Sequence, residues 1–403
     1  MNIRNTVKSW KTATLSAVLA LPLLTAIIIP ATIHPSPAEA SQRYLVQYST
    51  SQAKQALTTA AGTATTRFFD HLNMAAVDLT ASEKEQLSHT AGITRIDSNE
   101  NYHGAAQAFA ANVKAITVKG NEQASWGYGA VDAQLAMNKN YTGKGVKVAV
   151  LDTGISTHSD LKIAGGVSLV DYTSSYADDN GHGTFVAGVI GAQNNGQGLI
   201  GEAPDASIYA VKILDTQGNG STEDLASGIN WAIQNKMDIV NMSIAFPQDS
   251  PTVEQMLQTA HNQGILLIAA AGNKGTTDTT QDTIEYPAKS SYVMAVTAVD
   301  DNLERASFSA TGAEADVAAP GDNIVSTSSN GRYELRDGTS VAAPFVTGLA
   351  ATLKQAYPQL TNDQLRHLIE VNSIDLGTTG RDNLYGYGMV SFQHVFDPGA
   401  TSR

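Results

Sequence analysis

The chain has 403 residues, 42% of them hydrophobic and 16% charged, a globular composition with enough length for two to three folding units. It carries 25 basic and 38 acidic residues, and the resulting net charge of −13 argues against nucleic acid as a partner, because phosphate binding needs basic surface. There is no cysteine, which excludes disulfides, thiolate nucleophiles and cysteine-ligated zinc.

Arg4, Lys8 and Lys11 open the chain, an apolar run follows from Ala13 to Ile29 with Pro22 inside it, and the segment closes on Ala38-Glu39-Ala40. A charged start, an apolar stretch and an A-x-A ending predict a signal peptide over residues 1–40, cut after Ala40. The run is shorter than the roughly 20 residues that span a bilayer, and no other stretch is a candidate, so the mature chain is expected outside the cell and off the membrane.

Residues 41–103 read as a small α+β domain. Arg43 to Tyr48 alternates like a strand, Ser51 to Ala61 reads as a helix, and Phe68 to Leu79 as one or two strands. Ala81 to Thr90 reads as a second helix, with Ser82 as N-cap and Glu85 three residues on, and Ile93 to Ile96 as a last strand. This order is ferredoxin-like. Residues 104–120 are rich in Ala and Gly and read as a linker.

A large domain is expected over 121–395, followed by a tail at 396–403. Apolar runs at Lys147–Leu151, Ser207–Ile213, Ile239–Ser243, Ile265–Ala269 and Val293–Val299 alternate with helical stretches at Ser221–Asn235, Thr252–Gln263 and Thr339–Tyr357. That alternation predicts an α/β fold with a buried parallel sheet covered on both faces, and a site outside the carboxyl ends of its strands.

Asp152 follows the strand ending at Leu151; an acid there caps a turn, binds a metal or serves catalysis. His182 stands between glycines in Asn180-Gly181-His182-Gly183-Thr184, without the H-E-x-x-H pattern of zinc proteases. Ser340, in Gly338-Thr339-Ser340-Val341-Ala342-Ala343-Pro344, starts a helix but lacks the second glycine of a nucleophile elbow. Taken singly, each has a bland structural explanation. Taken together they are a nucleophile, the base it needs and the acid that fixes the base, in the order Asp, His, Ser.

On these three motifs the chain resembles the subtilisin family of serine proteases in precursor form, from about Trp126 to Val395. The resemblance implies a secreted, monomeric serine endopeptidase that acts on polypeptides. It also implies that residues 41–103 are an inhibitor-like propeptide, that 104–120 is the region of self-processing, and that the charge relay is Asp152, His182 and Ser340. Asn273, in Ala269-Ala270-Ala271-Gly272-Asn273, would donate to the oxyanion beside the Ser340 N–H. Substrate would lie extended between Gly218-Asn219-Gly220 and Ser243-Ile244-Ala245. Two glycines usual after the position of Ile244 are replaced by Ala245-Phe246, which narrows the first specificity pocket. Glu285 at the pocket base is expected to pair with Lys274. A structural Ca2+ would be held by Asp160 and Asn195 side chains, carbonyls of Gln193, Gln197 and Leu199, and Glu122 or Gln123; Asp316 with carbonyls of Ala288, Ser290 and Val293 would form a weaker second site. Many members carry methionine where this chain has Val341.

Overall fold

In the small domain, β1 (Gln42–Tyr48), α1 (Ser51–Ala61), β2 (Arg67–Phe69), β3 (Met74–Leu79), α2 (Ala81–Ser88) and β4 (Ile93–Ser98) follow one another. The structure, a computed structural model, describes residues 40–61, 66–102, 114–116, 125–247 and 250–399; the expected signal peptide and most of the linker lie outside these. The four strands form an antiparallel sheet in the order β2-β3-β1-β4, the ferredoxin-like arrangement. The stretch from Phe68 to Leu79 is two strands around a short turn at Asp70–Leu72.

The second helix starts at Ala81 as expected, but on a different cap. Thr80, not Ser82, is the N-cap: its hydroxyl accepts from Glu83 N at 3.2 Å, and the Glu83 carboxylate accepts from Thr80 N at 2.8 Å. The T-x-x-E spacing occurs at Thr80–Glu83, and β3 ends at Leu79, so the helix begins as soon as the strand releases the chain.

Alternation along β1 separates two packing faces. Tyr44, Val46 and Tyr48 face Leu57 and Leu87 of the two helices. Leu45 faces the other way and joins Phe69, Leu72 and Met74 in a cluster with Leu225, Ala226, Ile229 and Ile233 of the large domain. The small sheet is thus a lid of apolar side chains over one helix, α6 (Thr222–Gln234). The chain continues into β5 (Asn101–Tyr102) and β6 (Lys114–Ile116).

The large domain opens with α3 (Trp126–Ala130) and α4 (Ala133–Asn138), then β7 (Lys147–Asp152), β8 (Ile163–Ser168), α5 (His182–Gly191), β9 (Ser207–Lys212) and β10 (Gly220–Ser221), which leads into α6. After it come β11 (Ile239–Met242), α7 (Pro251–Asn262), β12 (Leu266–Ala270), β13 (Val293–Val299), β14 (Ala315–Pro320), β15 (Ile324–Thr327), β16 (Tyr333–Arg336), α8 (Thr339–Ala356), α9 (Asn362–Val371) and α10 (Gln393–Phe396). Seven strands form one parallel sheet in the order β14-β13-β12-β11-β7-β9-β8. Val148 and Val150 of β7 face the core of α5 and α8, whereas Ala149 and Leu151 face that of α6 and α7. Both faces are covered, which is why the strands read as continuous apolar runs.

The chain lays β8 and β9 to one side of β7 and then crosses to β11 on the other. This reversal puts the switch point at the carboxyl end of β7, where Asp152 stands, with Ser243 just beyond β11 and Asn273 just beyond β12.

Candidate active site

Asp152 is the last residue of β7 and His182 the first of α5; both are fully buried. His182 Nδ1 lies 2.8 and 2.9 Å from the two Asp152 carboxylate oxygens, and its Nε2 lies 3.1 Å from Ser340 Oγ. A carboxylate only accepts, so the ring proton belongs on Nδ1, and Nε2 presents a lone pair to the serine hydroxyl. Such close approach of α5 to β7 requires glycine at 183, where a Cβ would meet the Gly154 carbonyl oxygen at 2.1 Å.

Asp178 fixes the spacing. Its buried carboxylate accepts from Thr153 Oγ1 at 2.8 Å, Asn180 N at 3.0 Å, Gly181 N at 2.8 Å, Thr184 N at 2.9 Å and Thr184 Oγ1 at 2.6 Å. One side chain thereby ties the residue after Asp152 to both flanks of His182. Lys212, buried beside Asp152 in the neighbouring strand, donates to the carbonyls of Thr153 and Leu214 at 2.6 and 3.1 Å and pairs with Asp179 at 2.7 Å. Neither residue was legible as functional in the sequence; the acidic Asp178-Asp179 pair before the histidine motif was the available signal.

Ser340 is the second residue of α8 and 2% exposed. Pro344 cannot donate to the Ser340 carbonyl four residues back, which loosens the first turn of the helix at this point. Asn273 is docked onto the same turn: its Oδ1 accepts from Thr339 N and Thr339 Oγ1, both at 2.9 Å. With the oxygen doubly engaged, the amide NH2 is the end left to donate.

The expected substrate strip is partly filled by the chain itself. Asn219 is held in a turn by Asp215, and Gly220 and Ser221 pair antiparallel with Tyr102 and Asn101. The Tyr102 ring stacks on Phe246 at 3.8 Å between centroids, and its hydroxyl lies 2.6 Å from Thr222 Oγ1. Phe246 therefore faces Tyr102 rather than narrowing the cavity beside Glu285; only its backbone bridges to Tyr286 there. Ser243 and Ile244 are buried and Ala245 half-buried. Glu285 lines an open cavity of about 340 Å³ with Lys274, Asp282, Tyr286 and Lys289, and pairs with Lys274 at 2.7 Å as expected.

Around Asp160 the loop 193–199 closes through hydrogen bonds donated to its carboxylate. Asp160 is buried, which pushes its carboxyl pKa up, and accepts from Leu199 N at 2.7 Å, Asn195 Nδ2 at 3.1 Å and Tyr333 Oη at 3.2 Å. Gly198 packs tightly there, since a Cβ would meet Tyr333 Oη at 2.0 Å and Asp160 Oδ2 at 2.4 Å. A carboxylate and backbone carbonyls suit a hard cation, but the Asn195 amide turns its NH2 to Asp160 and its oxygen to Gln197 N at 3.1 Å, so it would have to turn over to serve as a ligand. Among the described residues no cluster of three or more His, Asp or Glu could hold a metal, so a cation here would depend on carbonyl oxygens; Glu122 and Gln123 lie outside the described residues. At the second expected site an arginine cation already stands against the acid. Asp316 is neutralised by Arg366 at 2.8 Å and accepts from Ala295 N at 2.8 Å, so both its oxygens are taken.

The subtilase family model matches residues 143–388, a span that contains Asp152, His182 and Ser340. The chain belongs to the subtilase family. This subtilase is 43% identical over 325 residues to the minor extracellular protease Epr of Bacillus subtilis, a match covering 81% of this chain and 50% of that protein. It is 48% identical over 283 residues to a thermostable alkaline protease of Halalkalibacterium halodurans, covering 69% and 76%, and 47% identical over 266 residues to subtilisin Savinase of Lederbergia lenta, covering 66% and 96%. The subtilase spans about half the length of the first of these. Among its described residues no helix is long and apolar enough to cross a membrane.

Proposed function

We propose that this subtilase is the precursor of a secreted serine endopeptidase that matures by cutting itself. The observation that carries the reading is the continuous Asp152–His182–Ser340 relay, with Asn273 docked beside the serine. Ser340 Oγ attacks a peptide carbonyl while His182 Nε2 takes its proton, and Asp152 holds the ring and offsets its new charge. Asn273 Nδ2 and the Ser340 N–H hold the tetrahedral oxyanion. His182 then returns the proton to the leaving amine, and the acyl-enzyme is hydrolysed by water that the same histidine activates.

Residues 1–40 direct export and residues 41–103 act as folding aid and inhibitor. The strand pairing of Asn101–Tyr102 with β10 supports the second role, since it occupies the edge a substrate would use. The chemistry needs no cofactor; Ca2+ held by Asp160, Asn195 and the 193–199 carbonyls, with Glu122 or Gln123, serves the fold. The mature enzyme works as a monomer outside the cell on polypeptides.

An active-site fluorophosphonate tests this directly. Label is expected on Ser340 alone, and the Ser340→Ala precursor is expected to stay uncut between Tyr102 and Gly120 in a host lacking other proteases. Absence of label would favour an exported binding protein with an idle site. Normal processing of the alanine variant would exclude self-cleavage.

A further inference from the structure

Glu223, on the first turn of α6, has a side chain only 9% exposed, and among the described residues all its ion pairs come from the small domain. Arg43 grips it with two parallel bonds, Nε to Oε2 and Nη2 to Oε1, both at 2.8 Å. Arg67 adds a third contact at 3.4 Å and reaches Asp171 at 2.9 Å. Residues 218–234 of the large domain contain no Lys or Arg, and Asp171 and Asp224 lie nearby. Once the small domain has left, this stretch carries negative charge that, among the described residues, no cation of the large domain pairs with.

The chain's tail shows what can reach it. Running back from Tyr102, Asn101 pairs with Ser221, the Glu100 carbonyl accepts from Thr222 N at 2.9 Å, and Asn99 Oδ1 accepts from Glu223 N at 2.9 Å. Asn99 also donates its N–H to the Arg43 carbonyl at 3.0 Å, so the two residues sit side by side over the same glutamate. A longer cationic side chain at the Asn99 position would take the place of the departed Arg43.

We propose that Glu223, backed by Asp171, is a subsite for a basic side chain of the polypeptide substrate, three residues before the one seated against Phe246. The proposal rests on the reading above, in which the small domain leaves and substrate takes the same edge. A planar guanidinium suits the carboxylate best, because it can repeat the two-pronged contact that Arg43 makes.

The test uses mature enzyme and peptides copying residues 94–120, with Asn99→Arg, Asn99→Gln or Asn99→Glu, competed in one tube and followed by mass spectrometry. The arginine peptide should be cut about fivefold faster than the glutamine peptide at low salt, and the glutamate peptide more slowly than either. The ratio should approach one at about 0.5 M salt, where exposed charges are screened. Glu223→Gln should bring the Arg/Gln ratio close to one, and Glu223→Arg should favour the glutamate peptide. If these variants fail to mature, the salt series on the parent decides the matter. A ratio near one in the parent, or one indifferent to salt and to Glu223→Gln, overturns the proposal while leaving the endopeptidase reading intact. If no peptide is cut and Ser340 takes no label, both fall together.

Discussion

A serine hydroxyl is a weak nucleophile, so what made Ser340 readable was its company. Three short glycine-bearing motifs in a fixed order pointed to the proposed relay, and the structure places Asp152 2.8 Å and Ser340 3.1 Å from His182. The next residue, Val341, is fully buried behind the serine. A methionine in that position carries a sulfur that peroxide turns into a sulfoxide, adding a polar oxygen next to a site that must hold an oxyanion. Valine has no atom to oxidise, and its branched side chain keeps the turn stiff. Met242 and Met294 are fully buried in the sheet. Peroxide is therefore expected to spare most activity in the parent and to inactivate Val341→Met several-fold faster. Equal rates of loss in side-by-side treatment would contradict the argument.

At the scale of elements, the buried parallel strands were legible because a sheet covered on both faces needs unbroken apolar runs. The glycine-containing edge strand β8 was not, since its partner β9 lies far along the chain, nor was the short hairpin β15–β16, whose third strand β6 comes from well before it in the chain. The tie between β7 and α5 was hidden for a related reason: Asp178 declares its role only through five acceptor contacts made in the folded state. Asn at this position keeps the shape but offers one oxygen where two are used, and turns an NH2 toward donors. Asp178→Asn is thus expected to destabilise the fold by about 2 kcal/mol. It should also lower kcat roughly tenfold with little change in KM, because a misplaced His182 affects proton transfer more than binding. A pure KM effect would show that Asp178 does not set the relay. The loop around Asp160 offers a parallel test. Chelator should lower the melting temperature and added calcium restore it, whereas a curve indifferent to both would leave the loop without a cation.

At the scale of the whole molecule, stability and pH are coupled through a residue with no part in catalysis. Glu202 lies in the connection between α5 and β9, packed against Gly348 of α8, and is 1% exposed. Its Oε2 has no hydrogen-bond partner, and burial alone pushes its pKa well above the ordinary carboxylate value, with no neighbouring charge contributing. The folded protein therefore keeps this proton where the unfolded chain, titrating near pH 4.3, has released it. In that interval the folded state binds more protons, so stability falls as pH rises, by up to about 1.4 kcal/mol per pH unit for this one group. The fall begins above the unfolded value and stops once the pH has passed the folded one. Glu202→Gln keeps the shape and cannot ionise, so its stability should fall less between pH 5 and the alkaline side. Urea unfolding of Ser340→Ala protein, with and without Glu202→Gln, at about pH 5, 7 and 9 measures the difference without self-digestion. Parallel pH dependences in the two proteins would mean that Glu202 finds water or a partner on ionising, and that the alkaline limit of the fold is set elsewhere.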